Sequence, residues 1–202
     1  MARWGLVVGS LALVAPPAAR GQACVEPHYR WSEKIDTALQ TRPAKPVDIA
    51  TILTAWAPVS LTSRDTCAPR EGREDSVFAL VGWVRRVRLQ ESDGDWHVEL
   101  TAAPATPVDS CIIVEIPAER YGAIYRGARA ALASLVDTTR LGPRGDLRPP
   151  VRVRFTGAAF FDGFHQRAAP GGTLHADQHG RCNSSLRALW ELHPVYGVTA
   201  PG

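Results

Sequence analysis

Residues 93–117 read DGDWHVELTAAPATPVDSCIIVEIP, and the alternation inside them decides the fold. Successive side chains of a β-strand point to opposite faces of the sheet. Trp96, Val98 and Leu100 therefore share one face, and Asp95, His97 and Glu99 the other. A strand over Trp96–Ala102, greasy on one side and histidine/carboxylate on the other, is expected. A second strand, Cys111–Ile116, follows the loop Pro104–Asp109.

Working outward, Val77–Leu89 (VFALVGWVRRVRL) is a long β run. Gly82 inside it predicts a bulge or bend. The turn Glu91–Asp95 joins it to Trp96. Beyond Ile116 the period changes: Tyr121, Ile124, Tyr125, Ala128, Leu132 and Leu135 fit one helical face, with Glu119 in the first turn. Gly142–Pro150 breaks the chain. Val151–Phe161 is a fourth strand with a bend expected at Gly157, Phe164–Ser185 a long loop, and Leu186–Val198 contains a fifth strand. There Trp190 and Leu192 share one face, and Glu191 and His193 the other. Three strands, a helix and two strands match a mainly β, OB-like barrel with the helix between strands three and four. A split α+β sheet under one helix is the alternative.

Upstream the texture differs. Arg3, then the apolar Gly5–Val14, then small residues to Ala23 have the form of a signal peptide spanning 1–23. Residues 24–75 read as a helical or irregular segment and linker, with Asp48 a helix N-cap before Ile49–Trp56. Residues 76–202 form the barrel domain. The chain after residue 23 has about 180 residues, enough for one domain with a modest appendage. No other run has the length and apolarity of a transmembrane helix. The formal charge of +3 includes Arg3 and Arg20. What remains is close to neutral, which argues against nucleic-acid binding.

Four cysteines, Cys24, Cys67, Cys111 and Cys182, in an exported chain read as two disulfides. The favoured pairing is Cys24–Cys67 and Cys111–Cys182. A secreted or periplasmic location follows. Lipid anchoring through Cys24 competes with it, but the preceding Gly21-Gln22-Ala23 lacks the early Leu of a lipobox.

Histidines and carboxylates on separate strands define the candidate site. Asp95, His97, His165 and His193 are candidate ligands for a divalent metal, zinc above all, since imidazole suits zinc and carboxylates add charge. Glu115 and Glu191 are candidates to activate water. The bland reading is a polar network on the outer face of the barrel. His175 and His179 fall in HADQH between glycines, where a mobile loop is expected. Phe160, Phe161 and Phe164 are core and rim, or line a groove. Arg86 and Arg88, with Arg152 and Arg154 on the strand expected to pair with theirs, form a second candidate ligand-binding surface. No nucleophile elbow, P-loop, dinucleotide fingerprint or C-x-x-C occurs.

The combination Arg30-Trp31-x-x-Lys34, Asp93-x-Asp95-x-His97, Glu115-Ile116-Pro117, Phe160-Phe161-Asp162-x-x-His165 and Glu191-Leu192-His193-Pro194-Val195 resembles a group of exported bacterial proteins of unassigned function. The resemblance covers most of the mature chain and implies no activity. Asp93-Gly94-Asp95 is similar to the metal-binding strand entry of staphylococcal-nuclease-like OB domains, whose remaining signature is absent. The expectation is a secreted binding module for a metal ion, saccharide or small anion. A metal-dependent hydrolase acting on phosphodiesters and a structural or protein-interaction domain are the alternatives.

Overall fold

The computed structural model describes residues 24–202, besides Met1. The expected signal peptide lies outside the described residues. Among these, no helix is long and apolar enough to cross a membrane.

The protein is mainly β. Its long strands are β2 (Val77–Arg88), β3 (Trp96–Thr101), β4 (Cys111–Ile116), β5 (Asp146–Phe161) and β8 (Trp190–Thr199). A short β1 (Lys45–Val47) runs parallel to β2. The order is β1-β2-β3-β4-β8-β5, and β2 also pairs with β5, which closes the sheet. Helix α3 (Ala123–Leu135) connects β4 to β5 and packs on β8 and β4. Two short helices, α1 (Trp31–Lys34) and α2 (Ile49–Ala55), lie on either side of β1 and precede β2. The Asp48 carboxylate caps α2 by accepting from the Thr51 amide, a bond typically worth about 1 kcal/mol.

The interior follows from the alternation. Val98 and Leu100 of β3, Ile112 and Val114 of β4, Val153 and Phe155 of β5 and Leu192 of β8 meet Leu132 and Tyr125 of α3 in one apolar core. The residues between them point away from it.

Several details depart from the sequence expectation. The bulge in β2 falls between Val84 and Arg86, not at Gly82. Gly82 serves a close approach instead: a Cβ there would stand 2.9 Å from Ile49 Cδ1 of α2. Strand β5 begins at Asp146, running through the segment expected to break at Gly142–Pro150. The expected loop Phe164–Ser185 contains a two-stranded hairpin, β6 (Gln166–Ala168) with β7 (Leu174–Ala176). Gly157 does coincide with a register shift against β8.

Disulfides join Cys24 to Cys67 and Cys111 to Cys182. The first pins the N-terminal segment, which Arg30 also latches. Its buried guanidinium donates to both oxygens of Glu74 at 2.8 Å and lies 4.6 Å from the Phe160 ring centroid.

Candidate metal centre

The outward side chains of β3, β4 and β8 form the polar face. In the sheet register His97 lies opposite Glu115, and Ile113 opposite Glu191. This face is not solvated. Asp95, His97, Glu99, Glu115, Glu191 and His193 are all buried, beneath the N-terminal segment and the connection from β5 to β8. What remains open is a cleft of about 490 Å³ whose lining includes His97, Glu115, Asp162, His165, His179 and Lys34.

Two groups of potential ligands emerge. The inner one centres on the fully buried ring of His193. Its Nδ1 is 3.0 Å from Glu115 Oε2 and 3.1 Å from Glu191 Oε1. Its Nε2 is 3.1 Å from Asp95 Oδ2, yet neither atom has an aligned hydrogen bond. His97 Nδ1 bonds the other Glu115 oxygen at 2.8 Å, while its Nε2 has no partner. The outer group comprises Asp162, His179 and Glu191, whose donor atoms lie mutually within 4.8 Å. His179 Nε2 is 3.2 Å from Glu191 Oε2, and its Nδ1 is 2.9 Å from the Ala188 carbonyl. His165 stands beside them, its ring centroid 5.1 Å from that of His179 and its Nε2 4.0 Å from Asp162 Oδ2. Lys34, buried in the same region, places Nζ 3.5 Å from Asp162.

The electrostatics follow from this packing. Burial alone would lower the His97 pKa, but the Glu115 hydrogen bond and nearby Glu99 outweigh it and raise the value to about 9. Burial pushes Glu99 up, and the charges of His97 and Arg181 prevail, holding it at about 2. Glu191 is also held at about 2, where bonds from His179 and His193 overcome burial and the adjacent Glu115. Against the same burial penalty, Glu115 is held well below the usual carboxylate range by His193 and His97. His193 is raised well above an ordinary imidazole, because Asp95, Glu115 and Glu191 overcome its desolvation. His165 is lowered, chiefly by burial.

The structure thus joins Asp95, His97, His193, Glu115 and Glu191 in one cluster and places His165 at its open edge. The arginines do not converge in the same way. Arg86 is paired to Glu99 at 3.2 Å and Arg88 to Glu91 at 2.9 Å. Arg152 and Arg154 lie opposite Trp83 and Val81 and line a separate groove with Pro46 and Asp48. Phe160 and Phe161 are buried, and Phe164 sits at the cleft.

Sequence reasoning underweighted His179. In place of a mobile loop position, the structure gives a buried ring fixed to Ala188 and Glu191. The available signal was its distance of three residues from Cys182, whose partner Cys111 opens β4. Asp162 was legible only as part of the FFDGFH segment, and Lys34 only as part of RWSEK. His175 remains on the exposed hairpin.

No protein-family model and no curated protein matches the chain. Among solved structures, it is similar to Entamoeba histolytica asparaginyl-tRNA synthetase in complex with asparaginyl-adenylate at 16% identity and a TM-score of 0.30. The match covers 72% of this chain and 24% of that one. A likeness of that size carries no argument about function.

Proposed function

We propose that this protein is an exported, OB-type barrel that binds a divalent cation of the zinc class in the cleft between the barrel and its N-terminal segment. The order of its five long strands, with α3 between β4 and β5, supports the OB reading. The two disulfides support export to an oxidising compartment.

The observation that carries the binding reading is the orientation of His179. A carbonyl oxygen only accepts, so Nδ1 must carry the proton bonded to Ala188. The ring's Nε2, 3.2 Å from the Glu191 carboxylate, then has either a second proton or a cation to share with that carboxylate. Either one supplies the positive charge that facing nitrogen and carboxylate lone pairs need in a buried site. A metal ion satisfies both. Donors sharing one zinc at bond lengths near 2.1 Å stand roughly 3 to 3.5 Å apart. The backbone carbonyl behind His179 is the usual partner of a metal-bound imidazole. Asp162 completes a three-donor set, with His165 in position to join it.

A second reading, a closed charge network without an ion, is favoured by Lys34. Its buried ammonium beside Asp162 already supplies one positive charge to the cluster. Metal analysis separates the two. Full-length oxidised protein, stripped by chelation and reloaded with Zn²⁺, is expected to retain zinc near stoichiometry and to melt at higher temperature. His179→Ala and Asp162→Asn, checked for folding by circular dichroism, are expected to bind zinc at least tenfold more weakly. Wild-type protein that holds no metal and gains no thermal stability from Zn²⁺ would leave the charge network as the reading.

A further inference from the structure

Glu191 divides its carboxylate between two histidines. Oε2 faces His179 Nε2 at 3.2 Å, while Oε1 faces His193 Nδ1 at 3.1 Å. Resting on the single-ion reading above, we propose that the site holds two divalent cations bridged by Glu191, the outer on His179 and Asp162, the inner on His193 Nδ1 and Glu115.

Three observations carry the inner site. The first is spacing. Glu115 Oε2 and Glu191 Oε1 stand 3.0 and 3.1 Å from the same ring nitrogen, again the separation expected of donors sharing one ion. The second lies behind the ring. Asp95 Oδ2 and His193 Nε2, both in fully buried side chains, are 3.1 Å apart, aligned as a hydrogen bond neither to each other nor to any other group. A carboxylate on the far side of the ring is the usual companion of a metal-bound imidazole, and these two atoms lack a partner as the site stands. The third is charge. Asp95, Glu115 and Glu191 all surround this one ring. A single ring proton at Nδ1 is shared between two carboxylates, whereas a divalent ion coordinates both and adds one more positive charge than the proton it replaces.

The bridge follows from the same atoms. Oε1 and Oε2 of one carboxylate each take one ion, and ions so joined sit about 3.5–4 Å apart. Both are then reached from the cleft, on which Glu115, Asp162 and His179 already open.

The test uses the full-length oxidised chain, stripped of metal and reloaded with Zn²⁺ for counting or with Mn²⁺ for electron paramagnetic resonance. Two zinc ions per chain are expected, and the manganese form should show the multiline spectrum of an exchange-coupled pair. In His193→Gln the count should fall from two to one, with the coupled spectrum replaced by that of an isolated ion. The wild-type spectrum decides the matter even if that variant does not fold. One ion with an isolated spectrum overturns the pair and leaves the single-ion reading standing. Two uncoupled ions overturn the shared bridge. No bound ion overturns both readings.

Discussion

The two faces of β3 are equally inaccessible and built from opposite materials. Leu100 points into the barrel and Glu99, the next residue back, points out, and both are 0% exposed. On the inner side burial is favourable in itself, roughly 25 cal/mol for each Å² of apolar surface removed from water. On the outer side burial is unfavourable unless every charge finds a partner. Glu99 therefore accepts from Arg181 Nε at 2.5 Å and from Arg86 Nη1 at 3.2 Å. Buried apolar residues are accounted for by folding alone. A second layer of buried histidines and carboxylates is not, and that difference marks the candidate site.

Truncation tests the contrast most strongly. Leu100→Ala should cost about 2–5 kcal/mol, read by urea melts, with zinc affinity unchanged once the protein is folded. A comparable loss of affinity would show that the two faces are not independent.

Next in size is the response to pH, which belongs to the polar face. His97 is raised from 6.5 to about 9, so its contribution is fully present below about pH 6.5 and lost as pH rises through 9. Glu99 is lowered from 4.5 to about 2, so its contribution is present above about pH 4.5 and lost as pH falls towards 2. Metal-free protein should be most stable between these limits and lose up to roughly 3 kcal/mol by pH 9.5. His97→Gln should flatten the alkaline limb, and Glu99→Gln the acid one. A wild-type profile flat from pH 5 to 9.5 would contradict the account of His97.

The smallest effects come from two glycines, one on each face. A Cβ on Gly82 would meet Ile49 Cδ1 at 2.9 Å, whereas one on Gly180 would meet Glu99 Oε1 and His97 Nε2, each at 2.8 Å. Gly82→Ala should cost about 1–3 kcal/mol by overpacking and leave metal binding alone. At Gly180 φ is +56°, so alanine adds a strain of about 1–2 kcal/mol and pushes into the cluster. It should weaken zinc binding and shift the His97 titration, followed by NMR. Equal behaviour of the two variants in both assays would erase the distinction.

How much of this was legible follows the same division. Period-two alternation in Trp96–Thr101 and Trp190–His193 told which residues share a face, because sheet geometry alone dictates that. It was silent on whether the polar face meets water. That depends on what the segments 24–34 and 162–189 cover, and irregular chain has no period to read. His179 is the sharpest case: its orientation comes from Ala188 and Glu191, contacts no spacing rule reports. The bulge beside Arg85 and the run of β5 through Pro149 and Pro150 escaped for a related reason. Glycine and proline signal where a strand can bend or stop, and tertiary pairing decides whether it does.

The bond between Cys111 and Cys182 also constrains the outer donors. Cys182 is three residues from His179, an arc of at most about 10 Å, and Cys111 opens the strand that carries Glu115. Once oxidised, the chain holds His179 near its carboxylate partners at a high effective concentration. A reduced chain must find them by closing the whole loop from 111 to 182, an entropic cost that grows with loop length. If the cluster holds zinc as proposed, the disulfide prepares its outer donors for the ion, and the reduced chain should take up zinc more weakly than the oxidised one.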